Sequence, residues 1–297
     1  MATTTDTNNY KFNHSMIRVK DPKASIKFYE FLGMSVVKHL QFPDAKFDLY
    51  FLSYDGPTAL SHGNSTFDRQ GVIELTHNYG TEDDPHTTRS TAATRSPTTA
   101  SGTMKHIAFA LDPDGYWVEI ISRRRGSKGA EDPEEQGKGT DVGTYRMNHT
   151  MIRVKDAEKS LKFYQDVLGM KLFRTVEQSA AKFNLYFLGY PGSKGVPEDG
   201  FTADYEGLLE LTWNYGTEKD ENLSTMMGTR SRRALDIFVS ISVDSLDAAC
   251  SRFETLDANW KKRLTDGRMK NVAFLLDPDG YWVEIVQNER FSGQENF

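Results

Sequence analysis

Apolar and polar positions along this chain fall into short alternating runs separated by turn residues, and the order of the runs recurs. Met16-Ile17-Arg18-Val19 alternates as a strand does. Asp21-Pro22 then supplies an N-cap and a favoured first helical residue, and Gly33 ends the helix; Asp156 and Gly169 repeat the arrangement. FDLYFLSY from Phe47, GVIELTHN from Gly71 and the arms flanking each DPDG are aromatic or β-branched runs bounded by turn residues, which read as strands. The order is a strand, a helix and then three strands. It returns from Asp236, where IFVSISV precedes a helix over 246–256, then NVAFLL, DPDG and YWVEIV. The pattern predicts an α+β fold built of tandem βαβββ modules, with mixed sheets curved around a cleft.

The recurrence is close enough to be a duplication. YKFNHSMIRVKD from Tyr10 returns as YRMNHTMIRVKD from Tyr145, AKFDLYFLSY from Ala45 as AKFNLYFLGY from Ala181, and IELTHNYGTE from Ile73 as LELTWNYGTE from Leu209. LDPDGYWVEI occurs at Leu111 and again at Leu276. His14 and His149 are 135 apart, Glu74 and Glu210 are 136 apart, and Glu119 and Glu284 are 165 apart. The offset therefore jumps by 29 between the third and fourth blocks, and the first half lacks that many residues. In their place lies part of 86–102, with nine Ser or Thr in 17 residues and no aromatic, which reads as loop. The sequence divides into a first domain over 10–122, truncated around 86–102, a Gly- and charge-rich linker over 123–144, and a second domain over 145–289. The truncated module should have lost its first strand and helix, so burial of the sheet beside it is expected to be incomplete.

Composition narrows the chemistry. The single Cys, Cys250, excludes an internal disulfide and any multi-thiolate metal site. A net charge of −6 leaves no broad footprint for nucleic acid. The longest apolar runs are about five residues, far short of the roughly 20 needed to span a bilayer. MATTTDTNNY carries no signal-peptide pattern, so the expected setting is the cytoplasm.

The chemistry that remains sits on the strands. A carboxylate inside an apolar strand is costly unless it is paired or bound to a cation. That situation occurs four times, at Glu74, Glu119, Glu210 and Glu284, while His14 and His149 stand at matched strand starts with Arg18 and Arg153 four residues on. Strand periodicity puts Phe12, His14, Met16 and Arg18 on one face, and Val72, Glu74, Thr76 and Asn78 on another. Such His/Glu sets suit a hard or borderline divalent ion with N/O ligands, such as Zn²⁺. Edge-exposed carboxylates, or carboxylates paired with Arg, are the plainer alternative.

The blocks NHxMIRVKD, LELTxNYGTE and LDPDGYWVEI resemble glyoxalase I (lactoylglutathione lyase), in particular the fungal single-chain form with two fused domains, of the vicinal-oxygen-chelate superfamily. The resemblance covers roughly 10–85, 103–122, 145–223 and 239–289. It implies isomerisation of the methylglyoxal–glutathione hemithioacetal to S-lactoylglutathione, by proton transfer through an enediolate that a divalent metal stabilises. Zn²⁺ is the first choice of metal and Ni²⁺ the second. It implies one metal site from His14, Glu74 and Glu284 and another from His149, Glu210 and Glu119, with Glu284 and Glu119 as the acid/base catalysts. Glutathione would contact Arg18, Asn78, Arg153, Asn214 and Lys262. Because both halves of each cleft come from one chain, a monomer is expected, with no nucleic-acid or membrane partner.

The chain departs from the family at one ligand. The family's GFGH histidine falls in the missing stretch of the first half, where His86 and His106 lack the right context, and at Phe238 in the second; no His follows His149. Asp236, two residues before Phe238, is the substitute the pattern offers. Both departures adjoin Thr/Arg-rich sequence. An impaired family member that binds glutathione conjugates without turning them over is the competing reading. A related extradiol dioxygenase chemistry would need two His per site, and one is identifiable.

Overall fold

The computed structural model describes residues 4–83, 107–122, 141–220 and 237–297, apart from Arg268. His86, His106 and Asp236 lie outside the described residues, as does 123–140 of the linker. The first module runs β1 (Lys11–Val19), α1 (Pro22–Phe31), β2 (Ser35–Phe42), β3 (Phe47–Ser53) and β4 (Val72–Asn78). Among the described residues the second module contributes β5 (Ile107–Leu111) and β6 (Trp117–Ile121). The third comprises β7 (His149–Val154), α2 (Ala157–Lys162), β8 (Lys171–Gln178), β9 (Phe183–Gly189) and β10 (Leu208–Asn214). The fourth comprises β11 (Ile237–Val243), α3 (Leu246–Thr255), β12 (Trp260–Lys262), β13 (Val272–Leu276), β14 (Trp282–Gln287) and a terminal turn of helix, α4 (Glu289–Ser292).

The helices start where short polar side chains satisfy their free N–H groups. Asp21 accepts from Lys23 and Ala24, Asp156 from Lys159 and Ser245 from Ala248. Gly33 and Gly169 close α1 and the π-helical turn that follows α2, at φ of 90° and 77°, where a side chain would be strained.

Modules from opposite halves join. β1 pairs antiparallel with β11 and parallel with β4, giving one eight-stranded sheet in the order β12-β13-β14-β11-β1-β4-β3-β2. The third module forms its own four-stranded sheet, β7-β10-β9-β8, and β5-β6 is a separate hairpin. Among the described residues no strand bridges β7 to β6 as β11 bridges β1 to β14. The hairpin is still held at its turn. Asp114 accepts from the Lys20 amide and the Ser25 hydroxyl, and Asp112 accepts from the Tyr29 hydroxyl. Asp279 and Asp277 repeat these bonds with Lys155, Ser160 and Tyr164, so the DPDG aspartates lock each hairpin to the helix of a neighbouring module.

Burial follows the joining. Val283 and Ile285 of β14 are fully buried in the main core beside Val239, Ile241, Ala249 and Phe253. Ile120, the counterpart of Ile285, is 46% exposed. It forfeits about half of the roughly 2 kcal/mol that burying such a side chain contributes. Among the described residues, β6 is thus less buried than its counterpart β14.

One face assignment needs correcting. A β-bulge in β1 puts Phe12 opposite Ile241 and His14 opposite Ser240, so Phe12 does not share the face of His14. Phe12 packs into the main core with Ile241, while Asn13 takes up the extra position. The bulge lies where the halves touch. Gly71 and Gly207, at φ of 66° and 65°, sit so close that a Cβ on either would strike a backbone oxygen, of Met147 or Phe12.

Candidate metal centre

Three strands carry His14 (β1), Glu74 (β4) and Glu284 (β14) to one point. Met16 stands beside Glu74 in the β1–β4 register, and Ser240 lies between His14 and Glu284 in the β1–β11–β14 row. His14 Nε2 is 3.2 Å from Glu74 Oε2 and 3.1 Å from Glu284 Oε2, with His14 completely buried. Phe51, Phe67 and Phe238 face the imidazole edge-on, at centroid distances of 5.4, 6.2 and 6.0 Å. Phe297, past α4, packs on Phe67 from behind.

The donors fit a divalent cation incompletely but recognisably. Among the described residues no three His, Cys, Asp or Glu side chains form a ready cation cage; the cluster is instead closed on itself as an ion-paired triad. Yet Ser240 Oγ, between His14 and Glu284, is buried without a hydrogen-bond partner, and His14 Nε2 and Glu284 Oε2 are buried with only their ion pairing to satisfy them, an arrangement that is costly unless something polar is accommodated there. The N-to-O separations lie near the roughly 3.3 Å expected between ligand atoms around tetrahedral zinc. One imidazole and two carboxylates also match the three protein ligands, with one open position, of catalytic zinc sites.

Without a cation the imidazole holds a proton. Burial opposes its charge, but Glu284 and Glu74 outweigh burial and push His14 from its ordinary value near 6.5 up to about 9. A folded value above the unfolded one stabilises the fold fully below about pH 6.5, and that contribution is lost as pH rises through about 9. Chelator-treated protein is therefore expected to lose thermal midpoint between about pH 6 and pH 10 more steeply than His14→Asn does. Identical slopes would contradict the triad.

The second cluster is looser. His149 Nε2 lies 3.4 Å from Glu210 Oε2 and 3.8 Å from Glu119 Oε2, and the Glu119 side chain is 27% exposed against 10% for Glu284. Burial opposes the charge of His149 too, and its carboxylates raise it.

The expected glutathione contacts divide. Arg18 and Asn78 continue along β1 and β4 on the faces of His14 and Glu74, since Arg18 is in register with Thr76. Arg153 and Asn214 do the same on β7 and β10. Lys262 is turned to the β12–β13 connection, donating to the carbonyls of Met269 and Val272 at 2.6 and 2.7 Å. Sequence reasoning missed two supporting residues in each half. Thr76 donates to Glu74 at 2.8 Å and Thr212 to Glu210 at 3.0 Å, and Asn13 and Asn148 bond the histidines that follow them. The signal was present, because each stands inside a block repeated in both halves.

Comparison with known proteins bears on the same residues. The family model described as Glyoxalase/Bleomycin resistance protein/Dioxygenase superfamily matches residues 11–109 and 146–285. The lactoylglutathione lyase of Schizosaccharomyces pombe is 41% identical over 319 aligned positions, covering 97% of this chain and 100% of that protein. Glyoxalase I of Saccharomyces cerevisiae is 41% identical over 310 positions, covering 92% and 91%. Among solved structures, glyoxalase I from Zea mays superposes with a TM-score of 0.59 at 25% identity, over 96% of this chain and 94% of that one. Likeness on this scale, spread over both halves and nearly the full length of each relative, leaves one assignment: the chain belongs to the glyoxalase I family of that superfamily.

Proposed function

We propose that the chain is a lactoylglutathione lyase working at one principal centre, His14/Glu74/Glu284, on the hemithioacetal of methylglyoxal and glutathione. The convergence of His14 Nε2 on two carboxylates at 3.1 and 3.2 Å supports this reading most directly. His14, Glu74 and Glu284 would hold the divalent cation, Zn²⁺ first and Ni²⁺ second by their N/O character. When bound it supplies Lewis-acid polarisation of the substrate oxygens.

The chain's own residues do the rest. Glu284 takes the proton from the hydroxyl-bearing carbon and returns it to the neighbouring carbonyl carbon, acting as base and then as acid, while the hydroxyl proton passes to the former carbonyl oxygen, so that a thioester carbonyl and a new hydroxyl result. Its Oε2, buried and paired only with His14 Nε2 at 3.1 Å, is suited to that exchange. Glu74 is tied by Thr76 and stays a fixed ligand. Phe51, Phe67 and Phe238 line the imidazole and keep water from it. Arg18 and Asn78 give the glutathione carboxylates and amides a polar track leading away from the triad. His149, Glu210 and Glu119 form the corresponding weaker centre, with Glu119 as its base and Arg153 and Asn214 as its track; Lys262 serves glutathione only if it leaves its loop carbonyls.

Elemental analysis of the purified chain, with hemithioacetal turnover followed before and after chelation, tests this. Bound divalent metal and chelator-sensitive turnover are expected. Neither metal nor turnover, with retention on immobilised S-alkylglutathione, would establish the binding-protein reading instead.

A further inference from the structure

Each candidate histidine follows an asparagine whose side chain has no other freedom. Asn13 is fully buried, and its Nδ2 donates to the carbonyls of Thr66 and Arg69, both at 2.9 Å. A carbonyl only accepts, so the NH₂ must face these two groups and the amide cannot be flipped. Asn13 Oδ1 is thereby fixed toward His14 Nδ1 at 2.7 Å. That oxygen is an acceptor only, so Nδ1 must carry the hydrogen and Nε2 is the nitrogen turned to Glu74 and Glu284.

The arrangement recurs in the other half of the duplication. Asn148 Nδ2 donates to the carbonyls of Thr202 and Tyr205 at 2.9 and 2.8 Å, and its Oδ1 meets His149 Nδ1 at 2.8 Å. Thr202 and Tyr205 are the 136-residue counterparts of Thr66 and Arg69. The anchoring loop in the first half is itself held, since Arg69 Nη1 bonds Asp55 at 2.9 Å and Arg69 Nε bonds the Asn64 carbonyl at 2.9 Å. In β1 a bulge leaves Asn13 without a partner across the β1–β11 ladder, and from there it reaches the 66–69 turn while His14 keeps the site face.

We propose that Asn13 is a positioning residue: it locks the His14 imidazole in the Nδ1–H form and aims the Nε2 lone pair at the cation held with Glu74 and Glu284. This rests on the reading of the triad as a metal centre. Partners that orient a ligating imidazole in this way typically govern metal affinity by 10- to 100-fold.

Two measurements decide it. In the zinc-loaded wild type, with ¹⁵N-labelled histidine, His14 is expected to show zinc at Nε2 and a protonated Nδ1 whose downfield proton is protected from exchange with water. Zinc at Nδ1, or an unprotected Nδ1 proton, overturns the proposal without any variant. Asn13→Ala should weaken zinc binding, measured by competition with a chromophoric chelator, by about 10- to 100-fold. Asn148→Ala, which removes the same bonds in the other half, should leave the tighter site within about twofold. Equal zinc affinity in Asn13→Ala and the wild type overturns the positioning role while leaving the metal centre standing. A wild type that binds no zinc or nickel overturns both.

Discussion

Glu284→Gln is expected to cut hemithioacetal turnover by about 10²- to 10⁴-fold, the range for losing a general acid/base, whereas Glu119→Gln should leave it within about twofold. The two glutamates stand in identical DPDGYWVE blocks, so local sequence gives no reason to separate them. Their surroundings do. Glu284 rides on β14, which is clamped between β13 and β11 within the eight-stranded sheet, and its carboxylate reaches His14 at 3.1 Å. Glu119 rides on a two-stranded hairpin fixed at its turn, and its carboxylate stops 3.8 Å from His149. A catalytic group 1 Å out of place loses much of its effect, because proton transfer needs a near-attack geometry that a loose strand does not hold. Initial rates of thioester formation in the two variants provide the measurement. Comparable losses in both would mean that two centres share the work.

Phe238→His should tighten zinc binding by at least about tenfold. Phe238 stands opposite Met16 across the β1–β11 ladder, with its ring 6.0 Å from the His14 ring and 5.7 Å from Phe274. The sequence resemblance implies that the family's further histidine ligand, a fourth beside His14, Glu74 and Glu284, would fall at this position. An imidazole there would add a second nitrogen donor to a one-His, two-carboxylate set, and directly bound ligands matter at least as much as supporting ones, whose loss costs 10- to 100-fold. Trading the ring for a smaller polar one should lower the stability of the cation-free protein by about 1 kcal/mol, through lost packing on Phe274. The expected signature is therefore opposite in sign for the two forms: a lower thermal midpoint after chelation and a higher one with zinc. Unchanged affinity would show that β11 does not approach the cation.

Much of this was legible from pattern alone. Exact internal repetition exposed the duplication, and a difference in offsets located the missing residues before any strand was drawn. Asp21 and Asp156 were bound to open helices, because a short polar side chain ahead of an amphipathic run satisfies free amides whatever surrounds it. The four glutamates drew notice because a carboxylate costs too much inside an apolar strand to recur four times without purpose, and their grouping with His14 and His149 came from the resemblance to the family.

Other features escaped a reading by period. Strict alternation assigned Phe12 to the face of His14, and a single bulge moved it into the main core. A bulge is decided by how two strands from opposite halves meet, which neither strand encodes alone. The role of Asn13 likewise depends on carbonyls more than fifty residues away, and that of the DPDG aspartates on a helix of another module. Two centres of equal ligand type emerged from sequence, since sequence records residue identity. The offset difference already pointed to weaker support on one side; the tertiary structure shows its extent, with His14 3.1 and 3.2 Å from its carboxylates in a continuous sheet and His149 3.4 and 3.8 Å from its own. Sequence by itself determined the modules and the family and nominated the donors; the joining of β1 to β11 is what brings Glu284 within 3.1 Å of His14.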